Sequence, residues 1–330
     1  MGFESSCISK KIVFPKITDQ ERLENQIAII SDDKGKRIID RLKESDLGPS
    51  AVDPQYGPHT LLKLSYLNYY LGVFLLIAGH RKEVGRFDKI VFVDAFGGSG
   101  LVKIRDSKYT VLGSSIIAAT AQSHGKTFDK IISIEIDHDR ALLLQNRCNQ
   151  LGLTNVSVIE GDSNQLVQFL PNKFEISKKT IVMLFLDPEG MEPQFSQFLP
   201  LSQATETVDV MLNATAGITR MDGRIMSNIS AKDFEKMKKF NPRYQRGDNS
   251  LDSLKKAFEQ DFGKPLGKQV EIYRTGRNLK YTLILRVRKT WNDSKWVEAM
   301  NNFGSYISSI DGGDALRALR IIKGDQGTLG

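Results

Sequence analysis

The stretch KIVFVDAFGGSG, residues Lys89 to Gly100, decides the fold of this chain. An apolar run, Ile90 to Val93, ends on Asp94, and three glycines then fall within four residues. β-Branched residues followed by a glycine stop favour a buried strand over a buried helix. The sequence therefore predicts a parallel strand that runs into a tight loop at the carboxyl edge of an α/β sheet, where ligands bind.

The loop after Asp94 supports two interpretations. Glycine tolerates positive φ and lets the backbone approach a ligand closely, but a tight turn alone would also explain the glycines. The loop lacks the G-x-G-x-x-G spacing of a dinucleotide fold, and no Gly-Lys-Ser/Thr follows as a P-loop requires. The pattern Asp94-x-Phe96-x-Gly98-x-Gly100 instead resembles the first motif of class I S-adenosylmethionine (SAM) methyltransferases.

Three later apolar runs also end in acids. They lead into Glu135-Ile136-Asp137, into Gly161-Asp162, and, after the most apolar run Thr180–Leu186, into Asp187-Pro188-Glu189-Gly190. Parallel strands end at one edge of their sheet, so we expect these acids to meet in one crevice. Glu135 is placed to accept both hydroxyls of a ribose. Asp162 fits either an exocyclic adenine amine or the N-cap of the next helix, and Asp137 fits an N-cap.

Composition excludes several classes of protein. The chain of 330 residues, 40% hydrophobic and 26% charged, is typical of a soluble globular protein with a sizeable core. We expect neither a signal peptide nor a membrane span, because the longest apolar stretch, Tyr66 to Ala78, is too short to cross a bilayer. The two cysteines, Cys7 and Cys148, have no metal-ligand spacing. We therefore expect no metal site and a reducing cytoplasm.

Positive charge is concentrated in the last third of the chain. Residues 231–330 hold 20 lysines and arginines against 12 acids, a net charge of +8, whereas residues 1–230 carry a net charge of −1. A solvated basic face would explain this excess, and so would a binding surface for a polyanion such as nucleic acid.

The remaining pattern predicts the organisation of the chain. Residues 1–57 form an N-terminal helical extension that ends in a linker, and residues 58–330 form one methyltransferase-like domain with a basic C-terminal region, 231–330. Helices are predicted over 19–30, 34–43 and 60–78, and Thr60 is the predicted cap of the third. An inserted loop over 101–112 is followed by a serine-capped helix from 113. A charged helical region over 231–262 is broken near Asn241, and strands 269–274 and 281–288 form a hairpin.

The chain resembles the three-Cys-motif partner protein family (TcmP) from about Pro58 to Met221. The resemblance rests on His59 with its helix to Ile77, the stretch Phe92–Gly100, Gly113-Ser114, and Leu186-Asp187-Pro188-Glu189-Gly190. Two positions depart from the family pattern, because Ser115 stands where the family has proline and Glu189 stands where it has an aromatic residue. The resemblance implies a Rossmann-like class I methyltransferase fold, with a mostly parallel sheet closed by an antiparallel hairpin, and a partner protein encoded by a neighbouring gene.

The resemblance also implies roles for individual residues. The implied cofactor site takes SAM on Asp94, Phe96, Gly97, Gly98, Gly100, Glu135, Ile136, Asp162 and Ser163. Asp187, Pro188 and Glu189 would face the methyl acceptor, with Asp187 or Glu189 accepting a hydrogen bond or a proton from an amine. Without the ring after Asp187-Pro188, stacking on a flipped base would need another aromatic side chain.

Taken together, these observations predict a SAM-dependent methyltransferase that acts on an amine of a nucleic acid base or nucleotide. One alternative is a catalytically inactive partner protein that keeps the fold to bind SAM or nucleic acid within a complex. A second alternative is a nicotinamide-dependent enzyme, against which the absent G-x-G-x-x-G counts.

Overall fold

A seven-stranded sheet forms the centre of the protein in a computed structural model, which describes residues 17–190, 193–215, 230–263, 266–276, 278–287 and 295–325. The bounds of its strands are β2 Lys89–Asp94, β5 Lys130–Glu135, β6 Val156–Glu160, β7 Thr180–Leu186, β8 Thr207–Thr215, β9 Leu266–Tyr273 and β10 Leu279–Val287. They lie side by side in the order β6-β5-β2-β7-β8-β10-β9.

The direction of the strands matches the predicted fold class. β6, β5, β2, β7 and β8 are parallel to one another, whereas β10 runs antiparallel to both β8 and β9. β7 is fourth of the seven strands, and all seven of its residues are buried, as expected for the most apolar run. The mostly parallel sheet with a closing antiparallel hairpin, typical of Rossmann-like methyltransferases, is therefore confirmed.

Helices cover both faces of the sheet. They are α1 Asp19–Ser31, α2 Asp33–Lys43, α3 His59–Glu83, α4 Ser114–Thr120, α5 His138–Leu151, α6 Ser163–Leu166, α7 Leu170–Lys173, α8 Phe195–Ala204, α9 Ala231–Phe240, α10 Ser250–Asp261, α11 Lys295–Ser309 and α12 Gly312–Ile322. Alternate residues of each strand enter one of two apolar clusters, one under α3 and one under α8 and α10. These two layers hold the carboxyl edge of the sheet rigidly enough to position a site.

α3 is longer than the sequence predicts. It starts at His59 after Pro58, so Thr60 lies inside the helix and is not its cap. α3 is also the one helix in the described ranges that is long and apolar enough to cross a membrane, but 72% of its apolar window is buried inside the protein. It packs against α1, α11, α12 and the sheet, as a core helix does.

The segment between the glycine loop and α4 is not the loop that the sequence predicts. It forms a hairpin of β3, Leu101–Ile104, and β4, Thr110–Leu112, and β3 also pairs in parallel with β1, Gln55–Tyr56. The prediction was wrong because the strands are only three or four residues long, too short for an alternating pattern to stand out. This small sheet joins the N-terminal segment directly to the strand that follows the glycine loop.

The other predicted elements agree with the structure within a few residues. α1, α2, the pair α9 and α10 separated near Asn241, and the hairpin β9–β10 are all present. Gly113 and not a serine is the N-cap of α4. Residues 216–221 of the stretch that resembles the TcmP family, Cys7, and Arg288 of the predicted hairpin lie outside the described residues. The division into an extension, 1–57, and a domain, 58–330, stays a prediction.

Candidate functional site

The glycine loop after β2 adopts the conformation that its glycines permit. Gly98 and Gly100 have φ angles of +61° and +92°, which side chains other than glycine rarely adopt. Gly97 is needed for a different reason, because a Cβ atom there would lie 1.9 Å from Ser133 Oγ. Positive φ is therefore confirmed for two of the three glycines, and close packing against β5 explains the third.

Asp94 lies beneath this loop and is fully buried. Its carboxylate accepts hydrogen bonds from Ser115 Oγ at 2.8 Å and from the Phe96 amide at 3.3 Å. Burial raises the pKa of Asp94 to about 6, although these hydrogen bonds act to lower it. Asp94 does not line the cavity above the loop, whereas Phe96, Gly97, Gly98 and Gly100 do. Direct contact between Asp94 and a ligand stays a prediction, and its observed partners hold the loop in shape.

Glu135 at the end of β5 faces the same loop. Its Oε2 accepts from the Gly98 amide at 2.7 Å, and its Oε1 accepts from the Asp137 amide at 2.9 Å. Asp137 caps α5, as predicted, by accepting from the Arg140 amide. Between these acids Ile136 is 70% exposed and lines the cavity. A carboxylate beside an exposed apolar side chain suits the ribose and one face of the base of a nucleoside.

Asp162 and Ser163 follow β6 at the far side of the cavity. Asp162 is the N-cap of α6 and accepts from the Asn164 amide at 2.9 Å. Both residues also line the cavity, and Ser163 is 4% exposed. The helix cap is therefore confirmed, and a role in binding adenine stays a prediction that the position of Asp162 permits.

Asp187 at the end of β7 is held by two side chains. Lys63 Nζ contacts its Oδ2 at 2.5 Å, and Asn213 Nδ2 donates to its Oδ1 at 2.7 Å. Glu189 is exposed, and its Oε1 accepts from the hydroxyl of Tyr56 at 2.9 Å. Pro188 is buried and does not line the cavity, whereas Asp187 and Glu189 do.

These residues surround one cavity of about 340 Å³ at the carboxyl edge of the sheet. Its lining contains five carboxylates but two cations, Lys63 and Arg140, so its wall is net negative. Three side chains of the site are not among the predicted site residues: Lys63, Tyr56 and Asn213, which reach it from α3, β1 and β8. Asn213 alone carried a signal, because it ends an apolar run. The described residues hold no group of three metal-ligating side chains.

A buried ion pair connects the N-terminal segment to the glycine loop. Arg147 and Asp53 are 0% and 4% exposed, and Arg147 Nη2 donates to Asp53 Oδ2 at 3.0 Å. Arg147 Nη1 also donates to the carbonyl of Ser99 at 2.9 Å, while the Ser99 hydroxyl donates to Asp53 at 2.5 Å. Asp53 lies in the predicted linker, but its carboxylate fixes the glycine loop at the base of the cavity.

Comparisons with known proteins give structural neighbours only. No family model and no curated protein matches the sequence. The O-methyltransferase from Bacillus cereus in complex with SAH has a TM-score of 0.40 and 14% identity, covering 84% of this chain and 94% of that chain. The O-methyltransferase TomG from Streptomyces achromogenes in complex with SAM has a TM-score of 0.41 and 14% identity, covering 83% and 100%. TYW2 from M. jannaschii in complex with AdoMet has a TM-score of 0.35 and 13% identity, covering 60% and 67%.

Proposed function

We propose that this chain is a SAM-dependent methyltransferase whose cofactor lies in the cavity at the carboxyl edge. The observation that carries the proposal is the convergence of the glycine loop with Glu135, Asp162 and Asp187 on that one cavity. Its volume of about 340 Å³ suits a small molecule. Its position, where the order of strands reverses between β2 and β7, is the usual place for a ligand in such a sheet.

The charge of the cavity supports SAM over a nicotinamide dinucleotide. Five carboxylates against two cations attract the positive sulfonium of SAM and repel the negative pyrophosphate of NAD. The residues present also fit SAM part by part. Glu135 faces the ribose, the exposed side chain of Ile136 packs on the adenine ring, Asp162 and Ser163 face the adenine amine, and Phe96 to Gly100 border the methionyl part.

The chemistry asks the protein to orient an acceptor and exclude water. SAM supplies an activated methyl group when it is bound. Glu189 is the side chain placed to take a proton from the acceptor, because its Oε2 has no hydrogen-bond partner in the described ranges while Tyr56 fixes its Oε1. Asp187 is occupied at both oxygens, so it orients the site through its partners Lys63 and Asn213. Alignment of the attacking atom with the methyl group supplies the larger part of the rate enhancement.

For the acceptor we propose an amine of a nucleic acid base or nucleotide. The net charge of +8 on residues 231–330 supports a polyanionic partner. The resemblance to the TcmP family supports a three-Cys-motif protein as a second partner. The two cysteines without metal-ligand spacing support a location in the reducing cytoplasm. Tyr56 and Phe96 both line the cavity, and Tyr56, beside Glu189, is available for stacking on a planar acceptor.

The deciding experiment is calorimetric titration of the purified protein with SAM, with NAD as the control ligand. We expect SAM to bind and NAD not to bind. Methyl transfer from tritiated SAM to RNA and DNA then tests the acceptor, and Glu189→Gln should lower kcat about 10²- to 10⁴-fold with unchanged SAM affinity.

The other possible results of this experiment would each contradict the proposal in a different way. Preference for NAD over SAM would make the chain a nicotinamide enzyme. Binding of SAM without transfer to RNA, DNA or protein would make it the catalytically inactive partner protein. A folded sample that binds neither ligand would overturn the assignment of the cavity.

A further inference from the structure

Lys63 is a buried cation on the wall of the cavity. The residue is 5% exposed, and its Nζ lies 5.7 Å and 5.6 Å from the ring centroids of Tyr56 and Tyr281. Its hydrogen-bond partner in the described part of the chain is Asp187 Oδ2, at 2.5 Å. An ammonium group has three N–H donors, so two donors of Lys63 remain for a group that enters the cavity.

Lys63 lies at a defined end of the cavity. Along the carboxyl edge the strands follow the order β6, β5, β2, β7, and Lys63 pairs with the acid that ends β7. The other cation, Arg140, is in the first turn of α5, directly after β5. With adenosine placed near the ends of β5 and β6, the amino acid part of SAM lies toward β7. Lys63 is the cation at that end.

The charges of Lys63 and Asp187 are complementary to a zwitterion. A buried ammonium is costly unless an acid and further hydrogen bonds accompany it, and Asp187 provides the acid while Asn213 holds that acid in place. The pair is neutral as a whole but presents one positive and one negative group. The methionyl part of SAM carries a carboxylate and an ammonium, so its charges are complementary to those of the pair.

We propose that Lys63 binds the carboxylate of the methionyl part of SAM, with Asp187 orienting the lysine and balancing its charge. This inference rests on the proposed function. It assigns a contact to a residue that no motif identifies, and it explains why an ammonium lies so deeply in a wall that is otherwise rich in acids.

The test compares two ligands that differ only in the carboxylate. S-adenosylhomocysteine (SAH) and its decarboxylated analogue are titrated by calorimetry into the wild-type protein and into Lys63→Met. The wild type should bind SAH about 10- to 100-fold more tightly than the analogue, the range of a charge-assisted hydrogen bond. Lys63→Met should lose the preference and bind SAH no more tightly than the analogue. Lys63→Arg, which keeps the cation, should retain part of the preference for SAH.

A second variant separates recognition from repulsion. Removing Lys63 alone leaves Asp187 unpaired, and that carboxylate would repel SAH even if the lysine never touched it. Lys63→Met with Asp187→Asn removes both charges and the repulsion. If Lys63 binds the carboxylate, this double variant binds SAH and the analogue equally. A preference for SAH that survives in the double variant would overturn the inference.

Arg140→Met is the matched control, because it removes the cation at the other end of the cavity. It should keep the wild-type ratio of the two affinities. Loss of the ratio in this variant as well would show that net charge and not Lys63 sets the preference, and would overturn the inference. A wild-type protein that binds no SAH at all would overturn the proposed function itself, which is a separate result from an unchanged ratio in the variants.

Discussion

Asp94 illustrates how a single residue serves the site without lining it. Its carboxylate is fully buried, and the hydrogen-bond donors that reach it, the Ser114 and Ser115 hydroxyls and the Phe96 amide, are neutral. Such donors offset only part of the cost of burying a charge. The loop above the residue is therefore held by a group whose ionisation opposes folding, and this has a measurable consequence for the pH dependence of stability.

We expect the contribution of Asp94 to the stability of the protein to fall as the pH rises from about 4 to about 6. The pKa of Asp94 is raised from 3.8 to about 6, so the folded state binds this proton more tightly than the unfolded state does. The resulting stabilisation is fully present at pH values below the pKa of Asp94 in the unfolded state. It is lost as the pH rises through the pKa of Asp94 in the folded state. One unit of pKa difference corresponds to about 1.4 kcal/mol, so the loss from Asp94 is roughly 3 kcal/mol.

Urea unfolding of the wild type and of Asp94→Asn between pH about 4 and about 7 measures this effect. The amide of the variant does not ionise, so the difference in free energy of unfolding between the two proteins should change with pH in that window. Asp88→Asn, at an exposed acid, is the control and should follow the wild type. A difference between wild type and Asp94→Asn that is the same at every pH would contradict the assignment.

At the scale of elements, the segment before α3, named here the clamp, holds the glycine loop in place through buried hydrogen bonds and strand pairing. Asp53 and Arg147 connect it to the carbonyl and hydroxyl of Ser99, and β1 pairs with β3 two residues further on. Replacing Asp53 by alanine leaves the Arg147 guanidinium buried without its counter-ion. We expect a loss of about 3–5 kcal/mol in the free energy of unfolding. We also expect weaker SAM binding at temperatures where the variant is fully folded, since the loop loses its anchor.

The exposed pair of Arg243 and Asp261 is the matched control for this clamp. It has the same bidentate hydrogen bonding, at 2.7 and 2.6 Å, but it lies on the surface. Asp261→Ala should cost less than about 1 kcal/mol and leave the affinity for SAM unchanged. The measurements are urea unfolding and calorimetric titration on both variants. Equal losses in the two variants would show that burial at Asp53 has no special consequence.

The elements also show how far the sequence alone can predict this protein. The strand ends that carry Glu135, Asp162 and Asp187 are local patterns, an apolar run followed by acid, so their meeting at one edge follows from parallel topology. Lys63 and Tyr56 contact Asp187 and Glu189 across more than a hundred residues of sequence. Nothing local distinguishes a lysine on α3 that points into the site from one on a solvated face. Such contacts depend on how α3 and β1 pack on the sheet.

At the scale of the whole molecule, part of the excess of positive charge lies on α9, which carries four lysines against two acids. Lys232, Lys236 and Lys239 are exposed on α9 at spacings of four and three, which places them on one face, named here the lysine face. The end of α9 is near the carboxyl edge, because Phe240 packs at 5.0 Å against Phe195, the first residue of the helix after β7. A polyanion on the lysine face would pass close to the cavity.

If nucleic acid is the acceptor, replacing the three residues of the lysine face by glutamine should weaken binding of a single-stranded oligonucleotide. The loss of three phosphate contacts should make the negative slope of log affinity against log salt concentration shallower by about 2. The control replaces Lys173, Lys178 and Lys179, three exposed lysines before β7 at the opposite edge of the sheet, and changes the net charge equally. Fluorescence anisotropy at several salt concentrations measures both variants. Equal weakening by the two variants would mean that net charge alone attracts the oligonucleotide. A wild-type protein without affinity for it would rule out a single-stranded nucleic acid as the acceptor.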